Sequence, residues 1–217
     1  MTTKHGLLEF ERKIHSQNGE DGILEWLAPR ARKKVIFEIG FEVEENNSRH
    51  LVSQHGWRGY GLDAKFGIWV TAENVNDFIK FTPGIVSIDV DGNDYWIWKA
   101  LKVEPDIVCI EYNAHFGPSE KVTIPYDPRF IWEKDKHWFR GASLAALADL
   151  ADTKGYQLVG CESSGNNAFF IKRVLAEGLE RVTCEESYVP SNRPCRGEID
   201  QSRLVRVCST SDPSLER

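Results

Sequence analysis

The stretch 85-IVSIDVDGNDYWIWKAL-101 decides how the chain is read. From Ile85 to Val90 it is a short, β-branched, nearly apolar run; from Asn93 onward, aromatic and aliphatic residues recur at helical spacing. A strand passing directly into a helix is the repeating unit of an α/β sheet. Three carboxylates, Asp89, Asp91 and Asp94, stand at that junction. Alternation in an extended strand end would turn Asp89 and Asp91 to the same side, and Asp94 reads as a cap for a helix starting at Tyr95. Asp91-Gly92 also reads as a plain turn.

Similar runs flank the stretch: "KVIFEIG" (34–40), "RGYGLD" (58–63), "GIWV" (67–70), "GIVSIDV" (84–90), "DIVCIEY" (106–112), "YQLVGC" (156–161) and "NAFFIK" (167–172). Each is bounded by turn residues, and runs of this kind suit strands buried on both faces. Helical patterns lie between them in "ENNSRHLVSQHG", "AENVNDFIK" with Thr71 as N-cap, "NDYWIWKALK", and "SLAALADLADTKG" with Ser143 before it and Gly155 after. Only "ESSGN" separates the last two runs, which predicts an antiparallel hairpin. The expectation is an α/β, Rossmann-like, doubly wound, mostly parallel sheet of seven strands with that hairpin at one edge. Residues 1–175 would form this domain, including an N-terminal helical lead-in and a lid-like insertion over 115–141 rich in Pro and aromatics. Residues 176–217, weakly periodic, read as an appendage.

At 217 residues, 41% of them hydrophobic, the chain can bury one substantial core. A net charge of -6 argues against a broad grip on nucleic acid or an anionic membrane, leaving a neutral or small partner. Five widely spaced cysteines, with no C-x-x-C pair and no His at zinc-ligand spacing, read as reduced thiols. The first 22 residues are charged throughout, and no apolar stretch is long enough to span a bilayer, so a cytoplasmic location is expected.

In an open parallel sheet, ligands bind beyond the carboxyl ends of the strands. There the sequence places Glu38 and Gly40, then Asp63, then Glu73 and Asn74, then Asp89 and Asp91, then Glu111, Tyr112 and Asn113. Asp63 follows Gly40 by 23 positions, near the separation at which a carboxylate receives ribose hydroxyls; it reads equally as a cap on the next turn. Gly40 would let a ligand approach the backbone, or simply turn the chain. "SQNGEDG" (16–22) offers Gln17, Gly19 and Glu20 at a helix start, where either a ligand or a capping arrangement would use them. His115 is a proton acceptor or a solvated loop residue. Tyr95, Trp96 and Trp98 read as core first, and Tyr126 and Asp127 of "IPYDPRFIW" as polar contacts to a substrate.

"SIDVDGNDYWIWKAL" resembles the K-I-D-V-E-G-x-E element of FkbM-type methyltransferases, and the order of elements resembles that of class I S-adenosylmethionine (SAM) dependent methyltransferases. "SQNGEDGIL", "FEIG", "ENNSRHL", "GWRGYGLDA", "VTAENV", "IEYNAHFGP", "IPYDP" and "GASLAALADLADTKGYQLVG" extend the resemblance, to a bacterial FkbM-like subgroup, over residues 15 to about 172. It implies a SAM site formed by Gln17, Gly19, Glu20, Glu38 and Gly40, with Asp63 on the ribose, Glu73 and Asn74 near the adenine, and Asp89 near the methionine portion. The chain departs from the family at "GFEVEENNSR", one residue shorter than the family's G-x-x-D-G-T-E-x-N-T and lacking its second glycine.

The function this implies is O-methylation of a small-molecule or sugar hydroxyl. Asp89 or His115 would be the base, Asp91, Glu111 and Asn113 would orient the acceptor, and Tyr112, Tyr126 and Asp127 would touch it. Two alternatives stand beside it. One is an enzyme that uses Asp89, Asp91 and Glu111 to hold Mg²⁺ or Mn²⁺ against a phosphorylated or glycosyl substrate; the other is a non-catalytic ligand-binding derivative of the fold.

Overall fold

The computed structural model describes residues 6–132, 138–192, 194–195 and 197–208. Its strands are β1 (Val35–Ile39), β2 (Arg58–Leu62), β3 (Ile85–Ile88), β4 (Ile107–Glu111), β5 (Val122–Thr123), β6 (Tyr156–Cys161), β7 (Asn167–Lys172) and β8 (Val205–Arg206). The α-helices are α1 (Glu20–Leu27), α2 (Arg49–His55), α3 (Val75–Phe78), α4 (Asp94–Ala100), α5 (Leu144–Thr153) and α6 (Cys184–Ser187). Six strands form one sheet in the order β2-β1-β3-β4-β7-β6. β2, β1, β3 and β4 run parallel, and β7 is antiparallel to both β4 and β6. The chain moves outward from β1 to β2 and then crosses to β3, so strand order reverses between β1 and β3. This is a Rossmann-like sheet, and the reversal opens a crevice at the strand ends.

Continuous apolar runs follow from burial on both faces. In β7, Ala168 and Phe170 enter the core that holds Trp98, Tyr156 and Leu147, whereas Phe169 and Ile171 face Ile23, Leu24 and Leu27 of α1. Tyr95 and Trp98 are buried, in line with core packing, and the half-buried Trp96 donates its indole N–H to the Ile124 carbonyl. Ser143 caps α5 by accepting from the Ala146 N–H, and Gly56 closes α2 in the left-handed conformation. Thr71 does not cap a helix with its side chain; Asn74 Oδ1 accepts the Thr71 N–H instead, and α3 starts later, at Val75.

The seventh strand expected at "GIWV" is absent from the sheet. Asp63 starts a 3₁₀ turn at Ala64–Phe66, and the Ile68 N–H bonds back to the Asp63 carbonyl, folding the run over the end of β2 rather than beside it. β2 is therefore the edge. Val52 of α2 and the ring of Phe41 lie directly on Gly59 and Gly61, where an added Cβ would come within 2.8 and 2.5 Å of them.

The 176–208 stretch is laid back over the domain. The Tyr188 hydroxyl donates to the Ala114 carbonyl, the Tyr112 hydroxyl donates to the Val189 carbonyl, and β8 pairs with β5 inside the 115–141 insertion. The rest of the predicted appendage, and residues 133–137 of the insertion, lie outside the described residues. No helix among the described residues is long and apolar enough to cross a membrane.

The chain just beyond β1 comes close to the end of β3 at Gly40. Its φ is +87°, and a Cβ there would stand 1.5 Å from the Asp89 carbonyl oxygen. The absent side chain thus serves this strand-end contact. Gly40→Ala is expected to lower unfolding free energy by about 3 kcal/mol or more, combining backbone strain with a steric clash. Urea unfolding measures this, and a loss within about 0.5 kcal/mol, the range of an ordinary surface substitution, would contradict the close approach.

Candidate active site

A cavity of about 340 Å³ opens at the ends of β1 to β4. Asp63 and Asp89 both line it, as do Gln17, Glu20, Glu38, Gly40, Asp91 and Glu111. Ile39, Leu62, Ile68, Trp69 and Val70 supply an apolar side, and Arg140 is the basic residue of the lining. The 41–48 loop adds Glu42, Glu45, Asn46 and Asn47 to the lining.

Several of these acids are spent on the fold. The Glu20 carboxylate accepts the Asn18 and Gly19 N–H groups and the side-chain amides of Asn18 and Asn167. Beside it, Asp21 Oδ2 gathers the N–H groups of Ile14, His15 and Ser16, so the 14–19 loop is wound around two carboxylates. Glu38 accepts the Asn47 and Ser48 N–H groups at 2.7 and 3.0 Å, capping the approach to α2 with a buried carboxylate. Burial pushes the Glu38 pKa to about 7 despite those two donors.

Asp63 caps the next turn and also lines the cavity. Its Oδ1 accepts the Lys65 N–H at 2.7 Å, while the residue also lines the cavity, and its Oδ2 has no hydrogen-bond partner among the described residues. Asp89 has no side-chain hydrogen bond among the described residues. Burial, reinforced by Asp91 and Asp94, raises its pKa well above the carboxylate range.

The strand-end alternation expected for Asp89 and Asp91 does not apply, because β3 ends at Ile88. Asp91 reaches the cavity by a left-handed turn, φ 57°, that places its carboxylate 3.0 Å from Arg140 Nη1. Asp94 is the first residue of α4 and reaches backward to accept the Val90 and Gly92 N–H groups, each at 2.9 Å. Burial lifts its pKa to about 6.

Arg140 organises this corner. Its Nη1 pairs with Glu111 as well as Asp91, and the guanidinium is buried. Burial opposes its charge, but Glu111, Asp91, Asp89 and Asp94 outweigh that and hold its pKa above the ordinary value. Burial pushes Glu111 up, against the pull of Arg140. No spacing rule relates Arg140 to Glu111, 29 residues away, and the sequence reading missed it. It also missed Asn46 and Asn47 in the α2 loop, Asn166 and Asn167 at the hairpin turn, and Trp69, Phe130 and Trp132, all of which line the cavity. The pairs "NN" (46–47) and "NN" (166–167), each beside a predicted element, were the available signal.

Other expected site residues lie elsewhere. Gly19 is packed against the Glu11 side chain. Exposed Glu73 accepts the Tyr126 hydroxyl, so these two tie one loop to another, and Asn74 is engaged with Thr71 and Trp69 backbone. The Asn113 amide donates to the Trp138 and Arg140 carbonyls, so it positions the segment bearing Arg140. His115 sits in the 3₁₀ turn Ala114–Phe116, its N–H held by Asn113, and does not line the cavity. Asp127 caps the next turn through the Arg129 N–H, and the Tyr112 hydroxyl faces Val189. The Mg²⁺ or Mn²⁺ site fits poorly: Glu111 and Asp91 are committed to a guanidinium, and Asp94, which lies beside Asp89 and Glu111, to two backbone donors.

The buried atoms left without partners are informative. Among the described residues lining the cavity they are three acceptors, Asn167 Oδ1, Glu111 Oε2 and Asn93 Oδ1, and one donor, Arg140 Nε. Acceptors beside a guanidinium N–H complement an α-amino-acid group, whose ammonium donates and whose carboxylate accepts.

No protein-family model matches the chain, and no curated protein matches it. Among solved structures it is similar to the crystal structure of the N-terminal domain of EvdMO1 with SAH bound, at 15% identity, covering 77% of this chain and 82% of that chain with a TM-score of 0.42.

Two outcomes test the electrostatics. Glu38, at about 7 against an ordinary 4.5, and Asp94, at about 6 against 3.8, both hold protons more tightly when folded. Their stabilisation is therefore full at low pH and is lost as pH rises through 6 and 7. The melting temperature of the ligand-free protein should fall from pH 5 to pH 8, with a shallower slope in Asp94→Asn; a rise would refute the assignment. Arg140→Met strands the buried Glu111 carboxylate and should cost about 3–5 kcal/mol at pH 8. The cost should be smaller at pH 5, because burial makes Glu111 easier to neutralise, and equal losses in denaturant titrations at the two pH values would count against the pairing.

Proposed function

We propose that the chain is a SAM-dependent methyltransferase that acts on a hydroxyl of a small molecule or sugar. The observation that carries this reading is the cavity itself: it joins Asp63 and Asp89 in one space at the strand-order reversal and leaves unpartnered acceptors and one guanidinium donor in its wall. SAM is a nucleoside with a ribose diol, a sulfonium and an amino-acid end, and the residues present fit each part. The free oxygen of Asp63 suits the ribose hydroxyls, with charge-assisted bonds. Leu62, Ile68, Trp69 and Val70 would hold the adenine, and Arg140 Nε with Asn167 Oδ1 the amino-acid end. A surplus of carboxylates over the single Arg140 favours a cationic ligand over a phosphorylated one.

When bound, SAM supplies an electrophilic methyl group; the chain's own part is to hold the acceptor oxygen in line and take its proton. Asp89 is the residue for the proton, since it lines the cavity, its side chain has no hydrogen-bond partner among the described residues, and burial makes its ionised form the more basic. Asp91 and Glu111, fixed by Arg140, would orient the acceptor. The FkbM-type resemblance of the 85–101 element supports the same reading.

Calorimetric titration with SAM and S-adenosylhomocysteine tests binding. Wild type should bind, and Asp63→Ala should bind about 10- to 100-fold more weakly, the loss of a hydrogen bond to a charged group. Asp89→Asn should still bind and lose about 100-fold or more in transfer to a hydroxyl acceptor. If the wild-type chain binds neither compound, the assignment fails; if it binds and Asp89→Asn transfers at the wild-type rate, the base is another residue.

A further inference from the structure

Away from the cavity, Glu25 of α1 stands between two imidazoles of α2. His50 Nε2 is 3.2 Å from Glu25 Oε2, and His55 Nε2 is 3.1 Å from Glu25 Oε1. One ligand atom from each residue lies within 4.8 Å of the others. The two ring centroids are 5.1 Å apart at the end of α2. We propose that Glu25, His50 and His55 form a zinc site that clamps α1 to α2.

Two imidazole nitrogens and one carboxylate are a borderline N/O donor set, suited to Zn²⁺ and unlike the all-oxygen shells of Mg²⁺ and Ca²⁺. Around a tetrahedral zinc with bonds of about 2.0–2.1 Å, neighbouring ligand atoms stand about 3.3 Å apart, so the three groups, within 4.8 Å of one another and with each ring on a different Glu25 oxygen, need only draw in. His50 is 94% buried on its exposed fraction of 6%, and its Nδ1 has no hydrogen-bond partner among the described residues. The ring can therefore carry its proton on Nδ1 and turn the Nε2 lone pair to a cation without breaking any other bond. His50 and His55 are separated by four residues, within the H-x₃₋₅-H spacing of zinc ligands, which corrects the expectation, drawn around the cysteines, that no His stands at such spacing. Arg12 also pairs with Glu25, but its side chain is 57% exposed and an exposed ion pair contributes little, so it yields to a divalent ion. Three protein ligands leave the fourth position to water.

The site's place in the fold gives it a purpose. The loop before α1 carries Gln17, and Glu20 begins the helix; the loop before α2 carries Asn46 and Asn47; all four line the cavity. A zinc ion between the helices fixes the separation of those two walls, independently of what the cavity binds.

The test uses the full chain stripped with a chelator and then titrated with Zn²⁺, and separately with Co²⁺ as a spectroscopic probe. One Zn²⁺ per chain should bind and raise the melting temperature, and Co²⁺ should show the intense visible bands of a tetrahedral site. His55→Ala, at a partly exposed position, should weaken Zn²⁺ binding by more than the roughly 10- to 100-fold that loss of an outer-shell partner costs. Glu25→Gln should do the same, which guards against a His55 variant that fails to fold. Unchanged affinity in both variants, no melting shift with Zn²⁺, or a near-ultraviolet thiolate-to-cobalt band placing the ion on cysteine would each overturn the proposal.

Discussion

The buried guanidinium of Arg140 is what allows the strand ends to be acidic. Asp89, Asp91, Asp94 and Glu111 converge there, and like charges this close in a water-poor space repel one another strongly. Arg140 binds two of them directly, and backbone donors hold a third, Asp94. Asp89 is the remainder, pushed toward its neutral form by burial and by Asp91 and Asp94, against the pull of Arg140. The close contact of Gly40 with the Asp89 carbonyl fixes that residue's backbone, so its side chain is presented to the cavity by the same packing that joins β1 to β3. Asn113 extends the arrangement by holding the carbonyls on either side of Phe139, which anchors the segment from which Arg140 projects.

Buried carboxylates also act as loop templates throughout the molecule. Glu20 and Asp21 collect the donors of the 14–19 loop, Glu38 those preceding α2, and Glu162 the Ser164, Asn166 and Asn167 N–H groups of the β6–β7 turn. A carboxylate accepts several hydrogen bonds at once, which lets an irregular segment satisfy its backbone without regular pairing. Part of the chain's acidity is therefore architectural, and an acidic residue at a strand end is ambiguous until its partners are known.

That ambiguity marks the limit of what could be read from residues alone. Six strands, the antiparallel hairpin and the helices at Asp94–Ala100 and Leu144–Thr153 were legible because burial on both faces writes long apolar runs and because Ser143 and Gly155 punctuate the chain. "GIWV" misled because its apolar content serves a cavity wall, with Trp69 tied to the Pro128 carbonyl, and four apolar residues look alike in either use. The strand-end rule found Asp63, Asp89, Asp91 and Glu111. It extended too far to Asn113, whose amide is turned to the Trp138 and Arg140 carbonyls, and to His115, which does not line the cavity. Arg140 was invisible because its pairing depends on tertiary packing across 29 residues, and the His50–His55 pair because its third member lies on another helix.

The end of the sheet at β2 has a bearing on how the molecule behaves among its own copies. An edge strand offers a row of unpaired amides and carbonyls that can template the strand of a second chain. Here Gly59 and Gly61, on either side of Tyr60, lower the strand's intrinsic preference for extended pairing, and Arg58 adds a charge at its start. The small residues that let α2 and Phe41 settle onto the sheet thus also discourage cross-chain stacking, so one choice of side chain secures intimate packing inside and guards against polymerisation outside.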